Sequence, residues 1–156
     1  MQPQISFEPL TPTAFLRRSA TVFGERIAVI DNDVRYTYRE LYDRTRRLAG
    51  ALHALGIRDG ARAAVLAPNT HVLLEAHYGV PLAGAVLVAL NQRLTAGDLA
   101  YAVEHSEAGI LIYDYEFEAV ARHRKEPAWI EVDTCRRPRR VRRLDCGRPA
   151  ARDSSC

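Results

Sequence analysis

Hydrophobic and polar positions alternate along the chain in a way that predicts a hairpin followed by helices and strands in turn. Two β-prone runs at 27–30 and 34–37 flank the turn-forming residues 31–33, which predicts a β-hairpin. Apolar residues then recur at helical spacing and predict a helix over about 37–55. Its predicted buried stripe consists of Leu41, Thr45, Leu48, Leu52 and Leu55.

Both ends of this helix carry sequence signals. Thr37 and Glu40 have the spacing of a capping box, in which each side chain accepts a hydrogen bond from the other residue's backbone N–H. Gly56 follows the last apolar position and is typical of a helix C-terminus. Exposed ion pairs are expected at i,i+4 spacing for Glu40–Arg44 and Asp43–Arg47.

The next segment predicts strand, helix and strand. Residues 61–67 form an apolar run that ends before Pro68, and Asn69 or Thr70 can cap a helix reaching about residue 83. Pro81 predicts a kink or an early end of that helix. Residues 86–90 are apolar at every position, which predicts a strand covered on both faces.

A further helix and strand are predicted after residue 94. Thr95 and Asp98 repeat the capping-box spacing, and Leu99, Ala102 and Val103 lie on one side of the helix that follows. Residues 110–113 predict another buried strand, and residues 115–122 predict a helix. This order indicates an α/β fold: a β-hairpin followed by alternating helices and mostly parallel strands.

Residues 122–156 differ in composition from residues 1–121. They hold 11 of the 22 Lys and Arg and 5 of the 19 acidic residues, so their net charge is +6 and that of the rest is −3. Apart from a short strand at 129–132, they show no hydrophobic period. We therefore predict a folded segment over 1–121 and a disordered, Arg-rich tail over 122–156. A reading-frame change near residues 120–130 is one hypothesis for this tail, and a short basic tail of independent origin is the other.

Targeting and redox signals are weak in this sequence. The N-terminal residues have no basic segment leading into an apolar run, and the longest apolar stretch is shorter than the ~20 residues that span a bilayer. A cytoplasmic protein is therefore expected. All three cysteines, Cys135, Cys146 and Cys156, lie in the tail without a CxxC pair, so neither a zinc site nor a redox motif is predicted.

Motifs for phosphate binding, metal-dependent hydrolysis and nucleophilic catalysis do not occur in the sequence. No residue is therefore predicted to be catalytic, cofactor-binding or metal-binding. The side chains weighed and assigned structural roles are His53, His71, His77, His105, His123, Glu75, Asp98 and Glu104. The Arg-rich run at 136–143 lacks interleaved aromatic residues, so a solvated tail is favoured over a nucleic-acid site.

Several motifs nevertheless resemble one family of enzymes. They are Tyr36-Thr-Tyr38 with Glu40-Leu41, then Val65-Leu-Ala-Pro-Asn69, then Gly84 to Asn91 with Arg93-Leu94. Together, from about Leu10 to Phe117, they resemble the start of bacterial acyl-CoA synthetases, which belong to the adenylate-forming (AMP-binding) ligases. The resemblance implies a fold that is an incomplete part of the N-terminal domain of such a ligase.

The resemblance also implies a two-step reaction. A carboxylate attacks ATP to give an acyl-adenylate and pyrophosphate, and coenzyme A then takes the acyl group. In that family the Ser/Thr/Gly-rich phosphate loop, the magnesium ligand and the catalytic lysine come later in the chain, so none is carried onto this sequence. The only lysine, Lys125, lies in the tail. ATP, magnesium and CoA are thus expected of the full-length family and not of this fragment.

Three functional interpretations follow from the sequence. The first is a truncated acyl-CoA synthetase that is inactive alone. The second is a split or accessory subunit that completes a ligase encoded by an adjacent frame. The third is an interaction module that uses the basic tail. The expected partner is the remainder of the ligase, and self-association through uncovered surfaces is a further expectation.

Overall fold

The structure, a computed structural model, describes residues 9–121 and 128–132. Its elements in chain order are α1 (Pro12–Val22), β1 (Ile27–Asp31), β2 (Val34–Thr37), α2 (Tyr38–Ala54), β3 (Arg62–Leu66), α3 (His71–Leu82), β4 (Val86–Ala89), α4 (Ala96–His105), β5 (Ile110–Asp114), a 3₁₀ turn (Tyr115–Phe117), α5 (Glu118–Ala121) and β6 (Ala128–Val132).

The main sheet of the described residues is parallel throughout, with strand order β4-β3-β5-β6. Strands β1 and β2 form a separate antiparallel hairpin. The predicted α/β class, with a hairpin followed by alternating helices and parallel strands, is confirmed. Parallel neighbours need crossover connections, and here α3 joins β3 to β4 while α4 joins β4 to β5.

Strand β5 carries the core on both faces because all five of its residues are buried. Ile110 and Ile112 pack in a cluster with the apolar residues of α2 and α3. Leu111 and Tyr113 point to the opposite face and pack with Leu99 of α4. This alternation is the period of a strand covered by helices on both sides, as predicted.

The predicted ends of α2 are confirmed. The Thr37 N–H donates to Glu40 Oε2 at 2.8 Å, and the Glu40 N–H donates to Thr37 Oγ1 at 3.2 Å. Gly56 follows the helix with a φ of +89°, a conformation that glycine adopts without strain. Leu41, Thr45 and Ala49 are buried with Leu52, whereas Leu48 and Leu55 are only partly buried, so the predicted stripe is right at three of its five positions.

The two ion pairs predicted along α2 are wrong. Glu40 is engaged in the capping box, and the guanidinium of Arg44 instead pairs with Glu75 on α3. Arg47 Nε donates to the backbone carbonyl of Asp43 at 3.3 Å and does not reach its carboxylate. Packing of α2 against α3 therefore decides the partner of Arg44.

Helix α1 was not predicted, although its N-terminus carries a recognisable signal. Thr11 accepts a hydrogen bond from the Ala14 N–H at 3.2 Å, and Pro12 stands in the first turn, where its missing N–H costs nothing. Leu16 of this helix is buried in a cluster with Val29 and Leu41. The helix thereby covers the contact between the hairpin and α2.

Strand β4 departs from its predicted burial. Val86 is 51% exposed and Ala89 is also exposed, so the strand is not covered on both faces. The preceding helix α3 runs through Pro81 and ends at Leu82, next to its predicted limit near residue 83, so the early end predicted at Pro81 is not observed. The position of β4 at an edge of the sheet explains its exposure.

The end of the described chain combines confirmed and open predictions. The helical segment after Tyr115 is present as a 3₁₀ turn followed by α5, and the short strand predicted at 129–132 is present as β6, paired with β5. The sheet therefore extends into the segment predicted to be a disordered tail. The rest of that segment, 122–127 and 133–156, lies outside the described residues.

Candidate functional site

The order of the parallel strands predicts a crevice at the carboxyl end of the main sheet. The chain leaves β3 toward β4 on one side and later returns to β5 on the other side of β3. In open α/β sheets such a reversal opens a crevice at the carboxyl ends of the two strands. Here it lies between the segment after Leu66, which leads into α3, and the segment after Asp114.

The N-terminus of α3 is occupied by a side chain from the hairpin. Its N-cap residue, Thr70, makes no side-chain capping bond. Instead, Asp31 Oδ2 accepts hydrogen bonds from the His71 backbone N–H at 3.0 Å and from His71 Nδ1 at 2.7 Å. A helix N-terminus attracts anions through its free N–H groups and its dipole. The Asp31 carboxylate fills that position.

The same contacts explain the acidity of Asp31. The pKa of Asp31 is lowered, first by the hydrogen bond from the His71 backbone N–H and then by that from the His71 ring. Since Asp31 accepts the hydrogen bond from Nδ1, Nε2 is the acceptor nitrogen of this ring in its neutral form.

Three further side chains extend this cluster toward α2. The ring of Tyr36 meets that of His71 edge-on, with centroids 5.5 Å apart. The Arg44 guanidinium lies 4.5 Å from the centroid of the Tyr36 ring and also pairs with Glu75. Burial opposes the charge on Arg44, yet the bond and charge of Glu75 raise its pKa. The cluster thus joins the hairpin, α2 and α3.

The N-termini of α2 and α4 are also engaged by acidic residues of the chain. Glu40 completes the capping box of α2. At α4, Thr95 Oγ1 accepts from the Asp98 N–H at 3.3 Å and donates to Asp98 Oδ2 at 2.7 Å. Acidic side chains of the chain therefore lie at the N-termini of all three helices, and those of Glu40 and Asp31 accept from backbone N–H groups there.

Asp114 ends β5 at the candidate crevice and is fully buried. Its Oδ1 accepts from the Glu116 N–H at 3.4 Å, whereas its Oδ2 has no hydrogen-bond partner among residues 9–121 and 128–132. Buried carboxylate oxygens without a partner are uncommon because their desolvation is costly. Asp114 is the buried acceptor that sequence reasoning missed, since the end of an apolar strand gave no sign of it.

The histidines weighed from the sequence do not form one site. His53 and His105 are exposed on different helices, and His105 stacks on Tyr101 with ring centroids 5.5 Å apart. His77 is exposed and bonds to the Leu73 carbonyl at 2.8 Å. His71 alone joins a polar cluster. His123 and the Arg-rich run at 136–143 lie outside the described residues.

A shallow groove of about 410 Å³ runs between β1 and the first half of α3. His71 and His77 both line it, together with apolar residues that include Ile30 and Leu74.

Within 9–121 and 128–132, no group of three or more His, Cys, Asp or Glu side chains comes together to hold a metal ion. Among the same residues, no helix is long and apolar enough to cross a membrane.

Similarity to known proteins extends over most of the chain. The family described as "AMP-binding enzyme" matches residues 16–153. This match includes most of the segment predicted to be a tail. The resemblance inferred from a few motifs is therefore supported by a match over residues 16–153.

Individual relatives agree with that match. Over 116 residues, the chain is 43% identical to a peroxisomal acetate/butyrate–CoA ligase of Arabidopsis thaliana, which covers 74% of the chain and 20% of the relative. It is 43% identical over 114 residues to a peroxisomal benzoate–CoA ligase of the same plant, covering 73% of the chain and 20% of the relative. The chain thus spans about a fifth of the length of these relatives.

A solved structure gives the same result for the fold. The fatty acyl CoA synthetase of Mycobacterium tuberculosis superimposes with a TM-score of 0.72 at 32% identity, over 77% of this chain and 26% of that one. The hairpin and the parallel sheet described above are therefore part of the N-terminal domain of an adenylate-forming ligase. Since the family match spans residues 16–153, the chain belongs to the AMP-binding enzyme family.

Proposed function

We propose that this chain is the N-terminal part of an ATP-dependent acid–CoA ligase. The complete enzyme would convert a carboxylate, ATP and CoA into acyl-CoA, AMP and pyrophosphate. The support is the match to CoA ligases over about a fifth of their length. The chain alone would be inactive, because this chemistry needs charge stabilisation and alignment of three substrates that a complete site provides.

One structural observation supports the proposal that this chain is a supporting part of the ligase and does not bind the phosphates itself. At the N-termini of α2 and α3 the carboxylates of Glu40 and Asp31 accept from backbone N–H groups, and at α4 the Asp98 carboxylate lies beside the capping hydroxyl of Thr95. A bound triphosphate would have to displace these carboxylates and overcome their charge. The phosphate-binding groups of the proposed ligase would therefore come from the remainder of the enzyme, and this segment would hold that remainder in place.

Magnesium binding and the catalytic lysine are assigned to the remainder because the resemblance to adenylate-forming ligases implies that both come later in the chain. We derive no step through the metal on this chain. ATP, magnesium and CoA belong to the proposal for the complete enzyme.

The acyl substrate and the cellular location belong to the proposal as well. Relatives at the same identity have names that specify acetate and butyrate in one case and benzoate in the other. A role in fatty acid metabolism, a bacterial source and a cytoplasmic location are what the sequence predicts. Two of the plant relatives have names that place them in peroxisomes.

A chimeric ligase tests this proposal. Residues 16–132 would replace the corresponding segment of the Arabidopsis acetate/butyrate–CoA ligase, and pyrophosphate release would be measured with acetate, butyrate and benzoate. We expect the chimera to form acyl-CoA and the 156-residue chain alone to release no pyrophosphate above a protein-free control.

Matched controls make the result decisive. The parent ligase, purified in the same way, shows that the assay works. A folded chimera that is inactive beside an active parent would contradict the supporting role. Pyrophosphate release by the chain alone would contradict its inactivity. Activity on mixing the chain with a separate remainder would favour the split-subunit interpretation over a truncated ligase.

A further inference from the structure

Strand β4 is a terminal strand of the sheet in the described part of the chain. Its Val86 N–H donates to the Ala61 carbonyl of the neighbouring segment at 2.8 Å, and the Leu90 N–H donates to the Val65 carbonyl at 2.9 Å. Backbone groups of successive residues in a strand point to opposite sides. The N–H and C=O groups of Leu87 and Ala89 therefore point away from β3, along the open edge.

The side chains of β4 give this edge no protection. The strand reads Val-Leu-Val-Ala, without charge or proline, although Val86 is 51% exposed. Strands that end a sheet in soluble proteins usually carry a charge, a proline or a bulge that prevents further pairing. The hairpin strand β2 has such a residue in the exposed Arg35. By composition, β4 is an interior strand.

We propose that the open edge of β4 pairs with a strand from the remainder of the ligase. This inference rests on the proposed function, because about four-fifths of the length of the relatives lies outside the matched segment. The partner strand would be extended and predominantly apolar, since it lies beside Val86 and bonds through the main chain to Leu87 and Ala89. A second copy of this chain is the competing occupant.

Amide hydrogen exchange tests the pairing directly. It would be followed at single residues in the dilute 156-residue chain and in the chimera described above. In the chain alone, the Leu87 and Ala89 amides should exchange rapidly, whereas the Val88 amide, which faces β3, should be protected. In the chimera, we expect exchange at Leu87 and Ala89 to slow by at least about tenfold, because a hydrogen-bonded amide exchanges only when the strand opens.

A pair of substitutions at one position provides the second test. Ala89→Pro removes an N–H that points outward and leaves the bonds to β3 intact, so it should block the new pairing. Ala89→Val keeps the N–H and serves as the control. We expect the proline chimera to lose protection at Leu87 by about tenfold and the valine chimera to keep it.

The outcomes separate this inference from the proposed function. An active chimera in which Leu87 and Ala89 still exchange rapidly would overturn the pairing and leave the proposed function standing. An inactive chimera beside an active parent would remove the basis for both. Protection in the chain alone that rises with concentration and is lost in Ala89→Pro would assign the edge to a second copy and overturn the proposed partner. If the proline chimera fails to fold, Val86→Lys places a charge at the same edge and is judged by the same exchange.

Discussion

The carboxylate of Asp31 holds both the backbone N–H and the ring Nδ1–H of His71, at 3.0 and 2.7 Å. The two residues are 40 positions apart, on the hairpin and on α3. An acidic residue from another element thus performs the capping that Thr70 does not. This bond ties the separate two-stranded sheet to a helix that packs on the main sheet.

Loss of the Asp31 carboxylate should destabilise the fold. Asp31→Ala leaves the His71 N–H without its acceptor and should lower the free energy of unfolding by ~0.5–2 kcal/mol, as for other helix caps. Urea unfolding at neutral pH measures this. Asp43→Ala removes an exposed carboxylate of α2 and should change stability by less than ~0.5 kcal/mol. Equal effects of the two variants would show that the bond to His71 contributes nothing.

Acid should remove the same contribution. The pKa of Asp31 is lowered in the folded chain, so folding is favoured by its ionised form. This contribution is fully present above the ordinary pKa of 3.8 and is lost as the pH falls through the lower folded value. Asp31→Asn cannot titrate, so its urea midpoint should fall less than that of the unaltered chain below pH 3.8. If the urea midpoints of Asp31→Asn and of the unaltered chain fell equally below pH 3.8, the lowered pKa of Asp31 would not contribute to stability.

Close packing of α2 and α3 should make Gly79 intolerant of a side chain. A Cβ at Gly79 would come within 2.7 Å of Leu48 Cδ2 and 3.1 Å of Leu48 Cβ. Gly79→Ala should therefore cost ~1–3 kcal/mol through overpacking. Gly50→Ala is the matched control, because no atom beyond its chain neighbours and the backbone of its own helix lies within 4 Å of its added Cβ. That variant should gain ~0.5–1 kcal/mol from helix propensity, and thermal unfolding of both variants gives the comparison.

The stability lost when an α2 side chain is truncated to alanine should depend on how buried that side chain is, and not on its helical spacing. Leu52 is 0% exposed, so Leu52→Ala should cost ~2–5 kcal/mol. Leu55 has the same helical spacing but is only partly buried, and its alanine variant should cost less. Chemical denaturation of the two variants measures the difference. A larger loss of stability in Leu55→Ala than in Leu52→Ala would contradict the burial of these two side chains in the structure.

Two shortened chains should show that β6 contributes to stability and that the residues after it do not. Residues 128–132 pair with β5 at five positions, from Ile110↔Ala128 to Asp114↔Val132. A chain ending at 121 should therefore lose at least ~2 kcal/mol through the lost backbone hydrogen bonds. A chain ending at 132 should match the full chain in its urea midpoint. If both shortened chains unfold at the same midpoint, β6 does not stabilise the sheet.

The hypothesis of a reading-frame change near residues 120–130 stays a prediction. Strand β6 pairs in parallel with β5 from Ala128 to Val132, so the described sheet includes residues that follow position 121. The family match extends to residue 153. The test is to read the downstream DNA in all three frames. A frame that encodes a Ser/Thr/Gly-rich phosphate loop would support the hypothesis, and its absence from all three frames would contradict it.

Sequence by itself determined the order of the elements from β1 onward, but it did not predict α1. Periods of 3.6 and 2, the Thr37 and Glu40 capping box, and Gly56 predicted α2, the hairpin and the parallel strands with ends close to those observed. These signals are local: a capping box lies within four residues, and a helical stripe repeats within one turn. The physical interactions that produce them are therefore complete within a short segment of chain.

Tertiary structure alone decided which distant side chains meet. Arg44 stood four residues after Glu40, yet it pairs with Glu75, 31 positions away. Asp31 was assigned to a turn, yet it caps α3. The apolar run of β4 predicted full coverage, but coverage depends on which strands and helices are present beside it. Such contacts are set by how the helices and sheets pack, and local spacing does not contain that information.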